Sequence, residues 1–327
     1  MKDNERRRGR LKLTEILEEI SAGFRNGDED SRKLNEYVNR VRESLQEHGA
    51  LYENEQIYIG EMNIDKGEIG DTFLQGSYGT HTAIKHPNYD VDADIGFILN
   101  NINARSDVRE RIYNRLVSSF PHYKVELKKP CITIDFNDGF KIDVAIYSIL
   151  NDEIYFHNSI GGYETVTKAK PKELIAFFNE RYADDNNKRS IVRLIKHFIK
   201  TTSQILEIDE NNKIPSISTN LMIVDKNIKE YDDREMTLYQ NIVLVIDDFI
   251  NYVGKNGTKG PSLEKLCVSN TFYKVKDISE VMAVLRKIQI NFKNKQYSEI
   301  VGNEVYNTIT RKNSTKINVS PIGTLGE

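Results

Sequence analysis

The feature of the sequence that most constrains its fold is the segment 90–99, which reads DVDADIGFIL. From Asp90 to Phe97, apolar residues alternate with aspartates and one glycine. Successive side chains of a β-strand point to opposite faces, so this alternation is typical of a strand with one buried face and one exposed face. We therefore predict a half-buried strand that presents Asp90, Asp92 and Asp94 together on its polar face.

A third carboxylate is expected on a neighbouring strand. In the segment 140–148, FKIDVAIYS, four apolar residues share one face, so Asp143 belongs to the opposite face. Asn-Asp-Gly joins this segment to CITIDF at 131–136, which is a strong signal for a hairpin. A further strand is predicted at 123–127. These segments indicate a sheet with at least three acidic side chains on one surface.

The remaining sequence has mostly the spacing of helices. Apolar residues recur at helical intervals over 13–20 and 34–45, and the chain after about residue 170 is almost wholly helical in pattern. The expected fold class is α+β, with a mixed sheet, flanking helices and a long N-terminal helical spine, followed by a C-terminal helical lobe. The expected division is a catalytic core with the N-terminal helices at 1–165, the helical lobe at 166–310 and a mobile polar tail at 311–327.

Composition excludes several classes of protein. The 327 residues hold 46 Lys and Arg against 49 Asp and Glu, a net charge of −3, which argues against a bulk nucleic-acid binder. We expect no membrane segment, because no apolar run approaches the ~18 residues that cross a bilayer, and no secretory signal at the N-terminus. Two cysteines cannot form a disulfide framework or a four-cysteine zinc site, so a cytoplasmic location is expected.

Clustered carboxylates make chemical sense mainly around a cation. Like charges a few ångströms apart repel each other, and a hard divalent ion such as Mg²⁺ removes that cost with the oxygen ligands it prefers. Two such ions serve in-line displacement at phosphorus. The pair Gly76-Ser77 lies upstream, where a glycine lets the backbone approach a phosphate and the serine can donate to it. The plain alternative is a solvated acidic edge strand with an unrelated Gly-Ser turn.

Residues 74–99, LQGSYGTHTAIKHPNYDVDADIGFIL, resemble the signature of the DNA polymerase β-like nucleotidyltransferase superfamily: Gly-Ser, a spacer and Asp-x-Asp. The helical C-terminal half and the long N-terminal helices make the whole chain similar to the bacterial CD-NTases, relatives of cyclic GMP-AMP synthase and oligoadenylate synthetase. The firm resemblance covers about residues 73–148, with weaker support over 189–217. It implies a polymerase β-like core with a helical lobe.

The resemblance also implies an activity. Such enzymes condense ribonucleoside triphosphates into a cyclic di- or trinucleotide with release of pyrophosphate, usually in anti-phage signalling, and the product activates an effector protein encoded nearby. The implied cofactor is Mg²⁺, as two ions, with Mn²⁺ as an alternative. Long double-stranded DNA is not expected as an activator, because the cysteines of the zinc-binding insertion in the DNA-sensing animal relative have no counterpart here.

Site residues follow from the same resemblance. Asp92, Asp94 and Asp143 are the expected metal-binding and catalytic carboxylates. Gln75, Gly76 and Ser77 are expected to hold the donor triphosphate, together with Lys196 and Ser216 from the helical lobe. The family often has an aromatic residue for base stacking just after that serine, and this chain has Ile217 there. The stacking residue, and with it the base preference, therefore stays open.

Two choices also stay open. The hydrophobic-Asp-hydrophobic-Asp pattern fits twice, so Asp90 with Asp92 is the alternative to the preferred pair Asp92 with Asp94. The superfamily signature alone does not separate a messenger synthase from a nucleotidyltransferase that modifies an antibiotic, a protein or a tRNA. A catalytically dead binding module is the third reading, ranked last because all three carboxylates are present.

Overall fold

A computed structural model describes residues 11–21, 29–54, 71–84, 90–99, 108–160, 163–183 and 185–318. The chain divides by its contacts into two compact units. The sheet unit comprises 23–184 with 262–269, and the helical unit comprises 1–22, 185–261 and 270–327. None of the helices in the described ranges has both the length and the apolar character needed to cross a membrane.

The sheet unit is built on seven strands in the order β1-β2-β5-β4-β3, with β6 pairing to the far part of β5 and β7 to β6. The pair β2–β5 is parallel and every other pair is antiparallel, so the expected mixed sheet is confirmed. The strands are β1 (Asp71–Gln75), β2 (Val91–Leu99), β3 (Lys124–Leu127), β4 (Ile132–Asp135), β5 (Phe140–Leu150), β6 (Glu153–Ile160) and β7 (Tyr163–Lys168).

Two of the helices of the sheet unit, Glu29–Asn54 and Val108–Ser119, pack on its apolar face. The helices of this unit are α2 (Glu29–Asn54), the single turn α3 (Gly76–Gly79), α4 (Val108–Ser119) and α5 (Pro171–Ala183), with a 3₁₀ turn at Glu264–Leu266. The core between sheet and helices contains Ala93, Ile95 and Phe97 of β2, packed in one cluster with Val41 of α2 and Leu116 of α4. The alternation along β2 therefore sends Ala93, Ile95 and Phe97 into this core and Asp92 and Asp94 to the opposite face.

The sequence did not predict three of the strands. The segment of β1, DTFLQ, is five residues long and has a polar residue at each end, so it lacks a periodic signal. The segments of β6 and β7 follow β5 after a tight turn at Asn151 and Asp152, both with positive φ. They extend the sheet as a meander, and their mixed polar composition does not alternate cleanly.

The helical unit has seven helices within the described residues. They are α1 (Leu13–Ile20), α6 (Asn186–Ile205), α7 (Ser216–Ile223), α8 (Arg234–Asn256), α9 (Ile278–Lys293), α10 (Ser298–Val301) and α11 (Asn303–Asn318), with a 3₁₀ turn at Glu210–Asn212. The apolar face of α6, which includes Ile191, Leu194 and Phe198, is fully buried. Asp185 caps the start of α6 by accepting from the backbone amides of Asn187 and Lys188.

The division into units differs from the expected boundaries at two places. Helix α1 belongs to the helical unit, where its buried face packs against α6, α8 and α11, and α5 belongs to the sheet unit. The segment 311–327, expected to be a mobile tail, is helical as far as Asn318, because α11 continues through it. The remainder, 319–327, lies outside the described residues.

Candidate active site

One register row crosses four strands of the sheet and contains two of the three expected carboxylates. Gln75 of β1 lies opposite Asp94 of β2, and Asp94 lies opposite Asp143 of β5. Asp143 in turn lies opposite Thr133 of β4. Residues opposite one another on paired strands have side chains on the same face. The sheet therefore aligns an amide, two carboxylates and a hydroxyl side by side.

A second row lies two residues away. Asp92 lies opposite Lys141, and Lys141 lies opposite Asp135. Lys141 forms ion pairs with Asp90 and, at 3.4 Å, with Asp135. The bond to Asp90 is the main reason that the pKa of Lys141 is raised above its usual value. Asp90 therefore has a cationic partner from β5, whereas Asp92 and Asp94 lie further along the strand.

The turn after β1 fits tightly against Asp94. Gly76 has φ +58°, and a Cβ atom built on it would lie 2.0 Å from Asp94 Oδ2. A side chain at this position would therefore collide with the carboxylate and would also force an L-residue into left-handed backbone. Glycine is required here for the close approach as well as for the backbone conformation.

Local hydrogen bonds hold the Gly76-Ser77 turn in place. Thr80 Oγ1 donates to the Gly76 carbonyl oxygen at 2.9 Å, and the Thr82 amide donates to the Ser77 carbonyl oxygen at 2.8 Å. From α5, Asn179 Nδ2 donates to the Gly79 carbonyl oxygen at 2.8 Å. The single turn α3 is thus fixed by its own threonines and by a neighbouring helix.

Three polar residues that the sequence reasoning missed interact with the residues of this site. Tyr147 donates its hydroxyl to Gln75 Oε1 at 2.9 Å, and Thr133 donates to Asp143 Oδ1 at 2.5 Å. Burial is the main reason that the pKa of Tyr78 is strongly raised, and Asp30, Asp92 and Asp94 raise it further. Tyr147 shares the parity of Asp143 along β5, so the alternation alone already placed it on the same face.

An apolar patch borders the polar rows. Phe73 of β1 lies over Gly96, where an added Cβ would meet the ring at 2.2 Å. Its ring centroid is 6.0 Å from that of Tyr147, which in turn is 5.3 Å from that of Phe156. The face of the sheet therefore changes from acidic to apolar within two residues of Asp94.

The expected residues of the helical unit lie on two helices that pack together, α6 and α7. Lys196 is on α6 and is 6% exposed, although a lysine on a helix surface is normally solvated. Burial, together with Arg189, lowers the pKa of nearby Arg193. Ser216 is the exposed first residue of α7, and Ile217 beside it is half-buried.

The three expected carboxylates offer the type of donor atom that a hard cation binds. Asp92, Asp94 and Asp143 present oxygen atoms from one face of the sheet, and oxygen is the donor that Mg²⁺ and Mn²⁺ prefer. In the part of the chain that the structure describes, no three His, Cys, Asp or Glu side chains already converge as a metal cage. The assignment of Asp92, Asp94 and Asp143, or of Asp90 with Asp92, to a metal stays a prediction.

A comparison with protein families bears directly on this site. Residues 71–147 match the model of the cyclic GMP-AMP synthase DncV-like nucleotidyltransferase domain. Residues 71–147 therefore form a nucleotidyltransferase domain of the DncV-like type. The matched segment runs from β1 to β5 and contains the Gly-Ser turn and all three carboxylates. It confirms the resemblance that the sequence motif carried and makes the chain a nucleotidyltransferase. A comparison with curated protein sequences gave no match.

Solved CD-NTase structures share the fold over most of the chain. CdnG of Bradyrhizobium diazoefficiens, solved with GTP, aligns with a TM-score of 0.68 at 12% identity, covering 92% of this chain and 98% of that one. The Vibrio cholerae cyclic AMP-GMP synthase DncV, solved with the linear intermediate pppA(3′,5′)pG, aligns at 0.66 and 15% identity, covering 86% and 93%. CdnC of Escherichia coli MS115-1, solved with ATP, aligns at 0.57 and 13%, covering 90% and 98%.

Proposed function

We propose that this nucleotidyltransferase condenses ribonucleoside triphosphates into a cyclic di- or trinucleotide and releases pyrophosphate. The observation that carries the proposal is the register row that aligns Gln75, Asp94 and Asp143 beside the Gly76-Ser77 turn. The likeness of most of the chain to enzymes solved with GTP, ATP or a linear dinucleotide supports this substrate class.

The Gly76-Ser77 turn holds the donor nucleotide in this account. Its hydrogen bonds to Thr80, Thr82 and Asn179 make it rigid before any substrate arrives. A preorganised turn loses little freedom on binding, so its donors are available to phosphate oxygens at low cost. Gln75 precedes the turn and contributes an amide donor. Lys196 and Ser216 belong to the helical unit and stay predictions from the resemblance.

The carboxylates act on the attacking hydroxyl and the reacting phosphate. Asp143 orients the acceptor ribose hydroxyl and accepts its proton, while Asp92 and Asp94 hold the donor side. Divalent cations bound by these oxygens would supply charge neutralisation for the triphosphate and the leaving pyrophosphate. Catalysis in this scheme is mainly positioning and electrostatics, with the linear product binding again for ring closure.

The ion pair of Asp90 with Lys141 bears on which aspartates take part. A lysine beside a carboxylate repels a second cation, so a metal ion at Asp90 would compete with the Lys141 ammonium. Asp94 lies directly opposite Asp143, so the register brings these two expected carboxylates side by side. This register favours the pair Asp92 with Asp94, and Asp90 is the residue that fixes Lys141.

The biological role follows from the same proposal. The product would be a second messenger in anti-phage defence, made in the cytoplasm from nucleoside triphosphates such as ATP. It would act on an effector protein encoded nearby. Mg²⁺ would be the physiological cofactor, with Mn²⁺ as an alternative. Neither a membrane nor long double-stranded DNA is required as a partner.

The experiment is an incubation of the purified protein with all four ribonucleoside triphosphates and Mg²⁺. The mixture is treated with phosphatase and analysed by mass spectrometry, with an Asp92→Ala/Asp94→Ala variant as control. A phosphatase-resistant nucleotide that the variant does not make supports the synthase and gives the bases and the ring size. Labelled nucleotide transferred instead to an added aminoglycoside, protein or tRNA would replace the synthase by a modifying enzyme.

A further inference from the structure

A buried hydroxyl lies against one of the three carboxylates. Thr133 is 1% exposed, and its Oγ1 is 2.5 Å from Asp143 Oδ1. An ionised carboxylate has no proton to give, so the hydroxyl is the donor. A hydroxyl that donates to an ionised carboxylate forms a charge-assisted bond, which is stronger than a bond between neutral groups.

The sheet fixes both partners of this bond. Thr133 and Asp143 lie opposite each other on antiparallel strands, and the neighbours Ile132 and Ile134 are fully buried in the core. Threonine is also restricted at χ1 because its Cβ is branched. The hydroxyl therefore has little freedom, and the carboxylate that accepts from it is held in one orientation.

A thiol continues the chain of hydrogen bonds. Cys131 Sγ is 3.8 Å from Thr133 Oγ1. Because the Thr133 proton is given to Asp143, the Thr133 oxygen accepts from the thiol. Burial, with a further contribution from Asp143, raises the pKa of Cys131 to about 12, so the thiol keeps its proton at neutral pH. The order Cys131, Thr133, Asp143 thus has a single direction of donation.

We propose that Thr133 is a positioning residue for Asp143, which holds its carboxylate in the orientation that a divalent cation and the acceptor hydroxyl require. The inference rests on the proposed function, since it assigns a purpose to the third carboxylate. A carboxylate offers about four acceptor sites, so one bond to Oδ1 fixes the group and leaves sites for other ligands. Partners that orient metal-binding residues in this way typically change metal affinity or activity by about 10–100-fold when they are lost.

The test compares Thr133→Val, which keeps the shape and removes the hydroxyl, with Thr133→Ser, which keeps the hydroxyl. Binding of Mn²⁺ is measured by electron paramagnetic resonance without nucleotide, so the readout does not need turnover. We expect Thr133→Val to weaken Mn²⁺ binding about 10-fold or more and Thr133→Ser to stay within about twofold of wild type. In an Asp143→Asn background, Thr133→Val should have no further effect, because the two changes act through one carboxylate.

Kinetics give a second readout. With nucleoside triphosphates, Thr133→Val should lower kcat about 10–100-fold and leave KM within about twofold, a split that loss of stability alone would not produce. Circular dichroism and melting temperature check that each variant is folded at the assay temperature. If Thr133→Val binds Mn²⁺ as wild type does, or if Thr133→Ser is equally impaired, the inference is overturned. If wild type binds Mn²⁺ but makes no nucleotide product, the proposed function fails while the Mn²⁺ comparison still decides the inference.

Discussion

The carboxylate of Asp94 occupies the space in which any residue other than glycine at position 76 would place its Cβ atom. The distance from that position to Asp94 Oδ2 is 2.0 Å, well inside a van der Waals contact. The turn that is expected to hold phosphate and the carboxylate that is expected to hold a cation are therefore in direct contact. A change in one has to move the other.

The first prediction follows from that contact. Gly76→Ala should push the Asp94 carboxylate out of the register row and reduce product formation about 100-fold or more, because a small displacement of a catalytic group is costly. Gly139→Ala is the matched control. It also has a positive φ, of +88°, but its Cβ would meet nothing within 4 Å. Both variants carry the backbone cost of about 1 kcal/mol, so similar activity in the two would contradict the account.

The second prediction concerns the repulsion between Asp94 and Asp143, which lie opposite each other on parallel strands. Asp143→Asn removes one of two neighbouring charges. In the absence of divalent cations we expect its melting temperature to equal or exceed that of wild type, because like charges close together destabilise the folded state. Addition of Mg²⁺ should raise the melting temperature of wild type more than that of the variant. Differential scanning fluorimetry measures both, and an equal response of the two proteins would exclude Asp143 as a cation ligand.

The third prediction concerns the bond from Tyr147 to Gln75. Burial, with Asp94 as a smaller cause, raises the pKa of the Tyr147 phenol, so the group stays protonated and donates. Tyr147→Phe should release the Gln75 amide and raise KM for the donor nucleotide about fivefold, as expected for about 1 kcal/mol from one hydrogen bond. The double variant Gln75→Ala/Tyr147→Phe should be no worse than Gln75→Ala. Additive losses in steady-state kinetics would show that Tyr147 acts elsewhere.

The fourth prediction is a dependence of stability on pH that comes from His197. This fully buried residue bonds through Nε2 to the Val301 carbonyl oxygen at 2.9 Å. Burial lowers its pKa from 6.5 to about 4, with Lys200 adding to the effect and the Val301 bond opposing it. The unfolded chain therefore takes up a proton at a pH at which the folded chain does not.

This difference in proton uptake makes the folded state less stable as the pH falls. The contribution of His197 is fully present above pH 6.5 and is lost as the pH falls from 6.5 towards 4, up to about 3 kcal/mol. Urea unfolding at pH 7 and pH 5 should show a smaller loss of stability in His197→Gln than in wild type. If the two proteins lose the same stability over this interval, His197 does not control the dependence.

Much of the site could be predicted because parity along a strand is a local property. Asp92, Asp94 and Asp143 were assigned to polar faces from alternation alone, and the structure places Asp94 opposite Asp143. Alternation fixes a face but leaves the register between strands undetermined, so neither the contact of Thr133 with Asp143 nor that of Tyr147 with Gln75 followed from it. Alternation did, however, allow Thr133 and Tyr147 to be assigned to the polar faces of their strands.

Local sequence patterns could not predict which helices α1 packs against, for a different reason. Its first amides, from Leu13 and Thr14, donate to the Glu235 carboxylate at 2.6 and 3.0 Å. This cap comes from α8, more than two hundred residues along the chain. Helical periodicity predicted that 13–20 is a helix with one buried face. It contains no information on which helices cover that face, so the packing of the N-terminal helix against α8 could not be predicted from it.

The measurement that tests the central claim most directly is pyrophosphate release and product formation by two matched variants, Asp94→Asn and Asp90→Asn, beside wild type. Both remove one charge from the same segment without changing its shape. The account predicts that Asp94→Asn loses about 10³-fold or more in both readouts, because Asp94 lies in the row with Asp143, while Asp90→Asn stays within about threefold. Loss of activity in Asp90→Asn with retention in Asp94→Asn would contradict the site proposed here.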